Sequence, residues 1–331
     1  MVREGGDHPA EMRSPAALRP PPDLDPVFSA HDISVLPVTP NTIRAYDRCP
    51  ASRVDERITA HYHASAALYK RWSPEGHLHF GYWRWPLNPF RRKALLEELV
   101  LRTVAALQPH AGQHLVDLGC GYGTAARLVA ERHGCKVTGI TAVEEQMIEG
   151  AAAAAAHGLS HLARMRCGDF RRTGIPSGTL DGAYAIESFD YGAGADKEDV
   201  LAEAARILKP GGRFAMAGGF LLKPPTGRRA ALVRATNEGW AIDCLAQRAP
   251  FLAALERVGF QDVTVRDISW RLGPSAIHGP VLIARLWLER LLRGTRLRPL
   301  ERAHLRSCWS GILLGTQFDL FRYLIVSARK A

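Results

Sequence analysis

Two carboxylates and a run of glycines hold most of the chemistry legible in this chain. In "HLVDLGCGYGTAARLVAERHGCKVTGITAVEEQ", His114 to Gln146, a short apolar stretch leads into glycines at 119, 121 and 123 and then into a helical pattern. Glycine lets the backbone turn sharply and approach a ligand closely, and the start of a helix offers free N–H groups. Asp117 stands just before that turn. A carboxylate there repels a pyrophosphate and attracts an ammonium group, so a cationic ligand suits the turn better than a dinucleotide. Thr141 occupies the position where a dinucleotide site carries an acid. Glu187 directly follows the apolar "AYAI". That places a carboxylate at a strand end, where burial is costly unless the group has a partner or a task. The alternative for Glu187 is structural, a helix cap or a sheet-end salt bridge.

The elements that position these residues alternate. "HLVDLGC", "KVTGIT", "ARMRCGDF", "LDGAYAIES" and "RFAMAGGF" read as strands, with helices between them. Such alternation predicts an α/β fold, a Rossmann-like parallel sheet with helices on both faces. Ligands in such sheets collect beyond the carboxyl ends of the strands. "VTVRDIS" and "FRYLIVSA" read as closing strands. Between them lies the amphipathic run "VLIARLWLERLL", in a segment too long for a turn and read as an inserted helical cap. The expected organisation is a flexible arm over residues 1–52, rich in proline, and an N-terminal helical lid over 53–110. A ligand-binding core follows over 111–220, and residues 221–331 hold the remaining sheet with the cap at 271–318.

A chain of 331 residues with 47% hydrophobic content can bury a sizeable core. No apolar run is long enough for a membrane span, and the N-terminus lacks the apolar centre of a signal peptide. The chain therefore reads as cytoplasmic, without stable membrane insertion; its oligomeric state is left open. The six cysteines form no CxxC pair, so neither a zinc site nor a disulfide frame is suggested and reduced thiols are expected. The formal charge is +10. Arg271 to Arg306 holds eight arginines against Glu289 and Glu301. A solvated basic face and an anion site both fit that cluster. The "HYH" and "HLH" stretches lack a matching carboxylate or cysteine pair, so no metal is assigned to them.

"VDLGCGYG" resembles the first motif of class I S-adenosylmethionine-dependent methyltransferases, and "RCGDF" and "RILKPGGRF" lie where that family has its adenine-contacting acid and a post-strand turn. The resemblance covers about Tyr62 to Phe220. It implies S-adenosyl-L-methionine as cofactor, with Asp117 and the backbone at Gly119 and Gly121 holding the methionine moiety and Asp169 and Phe170 flanking the adenine. "GITAVEEQ" is similar to the small-molecule and lipid branch, which includes cyclopropane-fatty-acid synthases and sterol, tocopherol and prenyl-diphosphate C-methyltransferases. In that branch Thr141 and Gln146 would be cofactor contacts; Glu144 or Glu145 reaching the ribose is the rival. "HYHASAALYKRWSPEGHLHFGYW" resembles the aromatic lid of the same enzymes, departing from it at His63. Tyr62 would close over the cofactor, and Tyr69, His79, Tyr82 and Trp83 would wall a substrate cavity; simple packing of these rings onto the sheet is the bland reading.

By the same resemblance Glu187 would stabilise the carbocation left when an alkene attacks the methyl group, with Asp190 and Tyr191 close behind. Phe189, Phe220 or Trp240 would add aromatic faces. Arg285, Arg290 or Arg293 would meet a phosphate. The implied reaction is C-methylation of an isoprenoid, foremost a prenyl diphosphate, with Mg2+ expected only for a diphosphate. The partner is then a small lipophilic, anionic substrate. O- or N-methylation of a small natural product, with His79 or His278 as base, is the alternative, and cyclopropanation of lipids a third. Nucleic acid is not expected as a partner, because no "[DNS]-P-P-[YFW]" motif follows the fourth strand.

Overall fold

The first helical segments of the chain are amphipathic and bracket a loop rich in aromatics. The computed structural model describes residues 56–331, so the arm expected over 1–52 lies outside the described residues. Helices α1 (Glu56–Trp72) and α2 (Arg92–Ala105) precede the sheet. The core then runs β1 (His114–Leu118), α3 (Thr124–His133), β2 (Lys136–Thr141), α4 (Glu144–Ala156), β3 (Ala163–Cys167) and β4 (Leu180–Ile186). It continues through α5 (Glu198–Ile207), β5 (Leu208–Leu221), α6 (Gly227–Gly239), the short β6 (Ala246–Gln247), α7 (Arg248–Arg257) and β7 (Phe260–Asp267). Two cap helices, α8 (Gly273–Leu292) and α9 (Pro299–Gly315), come before the last strand, β8 (Phe321–Lys330).

The sheet has the order β3-β2-β1-β4-β5-β8-β7, with β6 paired to β5. Strands β1 to β5 are parallel; β8 runs antiparallel between β5 and β7. Parallel strands covered on both faces read as continuous apolar runs, and "HLVDL" is buried almost throughout. Leu99 and Val104 of α2, Val129 of α3 and Met147 of α4 pack one face. Leu201 of α5 and Phe251 of α7 pack the other. The alanine run Ala151–Ala156 lies within α4, whose first turn carries Glu144 and Glu145, favoured near the positive end of the helix dipole.

The order reverses between β1 and β4. That reversal opens a crevice beyond the strand ends, and the glycine turn, Thr141, Asp169 and Glu187 all fall just past the carboxyl ends of β1, β2, β3 and β4. The cap packs on the first helix. His304 of α9 stands 5.3 Å from His61 and 5.0 Å from Tyr69, ring to ring, which ties α9 to α1. Cys120, Cys135, Cys244 and Cys308 are free thiols, whereas Cys167 is disulfide-bonded, a departure from the reduced state expected for all six.

Helices α6 and α9 cross at Gly239, where no side chain fits: a Cβ would overlap Ser307 and lie 2.7 Å from the Ala303 carbonyl oxygen. Gly239→Ala is therefore expected to destabilise the fold by about 1–3 kcal/mol, measured as a fall in thermal midpoint. An unchanged midpoint would mean that the cap is not held at this crossing.

Candidate active site

The crevice is a cleft open to solvent. Gly119 and Gly121 after β1, Thr141 and Gln146 after β2, Asp169 and Phe170 after β3, and Glu187 after β4 line it together. Tyr62 of α1 and Tyr191 close its outer side. Gly119 adopts φ +95°, and a Cβ there would overlap the Ser188 side chain. The turn is thus held against the β4 loop, with the Ser188 hydroxyl donating to the Leu118 carbonyl. Thr141 donates to Gln146 Oε1 at 2.9 Å, so the two branch-typical residues form one buried pair facing the cleft. Glu144 and Glu145 do not line it. Asp169 is gripped by Arg171 at 2.9 Å and 3.0 Å.

Asp117 is buried behind the turn rather than on the cleft wall. Burial pushes its carboxyl up to about 7, which the nearby Tyr184 hydroxyl only partly offsets, and Oδ2 has no hydrogen-bond partner among the described residues. An orphaned buried carboxylate beneath a glycine turn suits a cationic group held at that turn. With the cleft lining, this is a donor set that fits S-adenosylmethionine.

Glu187 sits at φ +50°, a conformation that costs a non-glycine residue about 1 kcal/mol or more. What holds it there is explicit. Its N–H donates to the Ala217 carbonyl at 2.9 Å, and its Oε1 accepts from the Phe80 N–H at 2.8 Å and the Tyr323 hydroxyl at 2.6 Å. Burial pushes this carboxyl up to about 7; the two donors favour the charged form and restrain the shift, and Asp190 adds to it. Glu187 therefore has structural partners and also faces the cleft.

The loop after Glu187 is clamped from below by Lys197. Fully buried at φ +56°, its ammonium donates to the carbonyls of Asp190 (3.1 Å), Gly192 (3.0 Å) and Cys244 (2.8 Å). Asp190 accepts from the Ala246 N–H at 2.9 Å, so it anchors the loop. Tyr191 donates to the Trp240 carbonyl at 3.0 Å and lies 3.2 Å from the Tyr62 hydroxyl. Tyr62 stacks on Tyr69 at 5.7 Å. These rings form a continuous wall beside the cleft.

Several expected substrate residues stand elsewhere. Phe220 is fully buried in the core against Phe251 of α7, because its β5 position faces the opposite side of the sheet. Tyr82 packs beneath α2, with Arg102 and Arg271 over its ring. The ring of Trp240 lies against Gly311 of α9, and only its carbonyl reaches Tyr191. Arg285 is 76% exposed on the outer face of α8 and pairs with Glu289, away from the cleft. His79 is buried, bonded to His77 at 3.1 Å and to the Phe80 carbonyl at 2.6 Å, with its pKa lowered to about 4 by burial. His278 contacts the Pro89 carbonyl. Neither histidine lines the cleft.

Sequence reasoning missed Tyr323, the donor to Glu187. Its signal was a tyrosine inside an otherwise apolar strand, whose hydroxyl needs a partner when buried. The main-chain donation from Phe80 left no side-chain signal. Among the described residues no group of three or more His, Cys, Asp or Glu stands where it could hold a metal ion.

Comparison with known proteins agrees with this geometry. A family model described as a methyltransferase domain matches residues 115–212. The chain is 29% identical to 27-O-demethylrifamycin SV methyltransferase of Amycolatopsis mediterranei (strain S699), over 76% of this chain and 89% of that protein. Its fold is similar to the [4+2]-cyclase SpnF, with a TM-score of 0.69 at 21% identity over 82% of this chain and 95% of that one. Geranyl diphosphate C-methyltransferase from Streptomyces coelicolor A3(2) gives a TM-score of 0.60 at 18% identity, over 81% and 98%. The chain is a class I S-adenosylmethionine-dependent methyltransferase.

Two outcomes follow. Asp117→Asn is expected to weaken S-adenosylhomocysteine binding by at least about tenfold, or ~1.4 kcal/mol, in calorimetry; unchanged affinity would remove Asp117 from the site. A carboxyl whose pKa is raised on folding supports stability below its unfolded value, near 4.5, and loses that support as pH rises through about 7. Glu187→Gln is therefore expected to stabilise the fold by about 1–3 kcal/mol relative to wild type at pH 8 and not at pH 4.5, read by denaturant unfolding. Equal stability at both pH values would show that the carboxylate is not desolvated.

Proposed function

We propose that this methyltransferase acts on carbon, methylating an electron-rich alkene of a lipophilic isoprenoid, with Glu187 as the group that meets the resulting charge. The observation behind this reading is the carboxylate of Glu187, desolvated, held by Tyr323 and Phe80, and facing the cleft. The bound cofactor supplies an electrophilic methyl on a sulfonium. The chain itself has three tasks.

Asp117 meets the amino group of the methionine moiety, the backbone at Gly119 and Gly121 seats it, and Thr141, Gln146, Asp169 and Phe170 hold the nucleoside. Tyr62 and Tyr191 exclude water from the outer side and offer aromatic faces to a cation. Were the alkene π pair to take the sulfonium methyl, with the S–CH3 bond breaking and its electrons leaving on the neutral thioether, positive charge would appear on the neighbouring alkene carbon. The ionised Glu187 stabilises that charge without reorganising and then takes the adjacent proton, restoring a double bond.

An anionic head on the substrate finds less support than its tail. Of the three arginines expected to meet it, Arg285 faces outward, Arg290 pairs with the buried Glu301 and Arg293 is exposed at the end of α8, so a prenyl diphosphate would need another cation, with Mg2+ as its companion. A second reading is O-methylation of a natural-product hydroxyl. It is favoured by the likeness to the rifamycin methyltransferase, with Glu187 near neutrality acting as the base.

The test is incubation with labelled S-adenosylmethionine and farnesol, farnesyl diphosphate or geranyl diphosphate. The expected product carries the new methyl on carbon, and Glu187→Gln lowers kcat by about 10²-fold or more while cofactor affinity is kept. Methyl ethers as the sole products would replace this reading with O-methylation.

A further inference from the structure

The cap helix α8 has apolar residues on both of its faces. Ser275, Ile283 and Leu286 are buried toward the fold. On the opposite side Ile277, Val281, Leu288, Leu291 and Leu292 fall within about a 100° arc of the helix and stay exposed, Leu291 at 77% and Leu292 at 78%. A helix packed on one face ordinarily turns charge outward. This one turns leucine and isoleucine to water, in register.

The stripe extends beyond the helix. The His278 side chain lies 3.0 Å from the Pro89 carbonyl, which seats the loop between α1 and α2 beside α8. That loop exposes Trp85 at 81% and Phe90 at 83%. An exposed apolar surface of this continuity marks a contact with something else.

The cap segment that carries this stripe is also basic, and Arg285 borders the stripe on the helix itself. Arg285, Arg293, Arg296, Arg298, Arg302 and Arg306 are all exposed. The two acids of the segment are already paired: Glu301 is buried with Arg290 at 3.3 Å, and Glu289 is held by Arg71 at 2.7 Å and Arg285 at 3.4 Å, which leaves the other exposed arginines in excess. A second copy of the chain docked on the same face would set arginines against arginines, because a two-fold interface pairs a surface with itself. An anionic lipid surface satisfies both features, taking up leucine and tryptophan at headgroup depth and pairing the arginines with lipid phosphates.

We propose that α8 and the Trp85–Phe90 loop form a peripheral docking surface for anionic membranes, the helix lying in the plane of the headgroups with its Ile277–Leu292 stripe inward. The inference goes beyond the methyl transfer proposed above and does not depend on which atom is methylated. It would place the enzyme where lipophilic acceptors partition.

Co-sedimentation of the full chain with vesicles of equal parts phosphatidylglycerol and phosphatidylcholine, against pure phosphatidylcholine, tests it. The expected result is at least about tenfold stronger partitioning onto the anionic vesicles, weakening as salt is raised. Leu288→Asp with Leu291→Asp should reduce partitioning at least about tenfold while S-adenosylhomocysteine binding, unchanged, certifies the fold. Arg293→Glu with Arg296→Glu should erase the preference for anionic lipid. Absence of vesicle binding, or undiminished binding by the leucine double variant, would overturn the proposal. So would a dimer in light scattering that the leucine substitutions dissociate while vesicles are ignored.

Discussion

The site depends on one costly arrangement, a carboxylate held nearly dry at the end of β4. Glu187 is kept at positive φ and pushed toward neutrality by burial, and it persists because three separate parts of the chain hold it. β5 accepts its N–H, β8 brings the Tyr323 hydroxyl, and the segment before α2 brings the Phe80 N–H. Strain of this kind survives only where the surroundings over-determine it, and such places are where chemistry is done. The antiparallel insertion of β8 beside β5 thus has a local consequence: it delivers the Tyr323 hydroxyl to Glu187.

A second carboxyl, Asp117, is displaced by the same cause and in the same direction. The two differ in what completes them. Glu187 is already hydrogen-bonded, so it can face a charge that appears and vanishes during reaction. Asp117 has an oxygen without a hydrogen-bond partner among the described residues, so it suits a permanent cation. Lys197 and Asp190 carry a scaffolding role, fixing the loop from beneath. Outside that loop, the tyrosines 62, 69 and 191 link α1 to the sheet edge, and His304 links the cap to them.

The central fold was legible because parallel strands and their glycine turn are local signals. "HLVDLGCGYG" predicts its own strand, turn and helix, and Gly119, Thr141, Gln146, Asp169 and Glu187 all reach the cleft because each lies at the carboxyl end of a strand or in the first residues after it. Side-chain direction further out was not legible. Phe220 continues a strand correctly recognised, yet the alternation of faces turns it into the core. Arg285 belongs to an amphipathic helix correctly recognised, but with apolar residues on two faces the pattern alone does not say which is inward, and Arg285 stands on the outer side. Tyr82 and His79 sit in a stretch of clustered aromatics where packing and binding use the same residue types. Contacts made by the main chain, such as Phe80 to Glu187, leave no trace in residue identity.

The account rests on Glu187 being a carboxyl whose surroundings have moved it close to neutrality, and that state can be observed directly. Difference infrared spectroscopy across pH, wild type minus Glu187→Gln, isolates the protonated carboxyl band of this one residue. A midpoint near 7 is predicted. A midpoint at the ordinary glutamate value near 4.5, or no band lost in the variant, would contradict it.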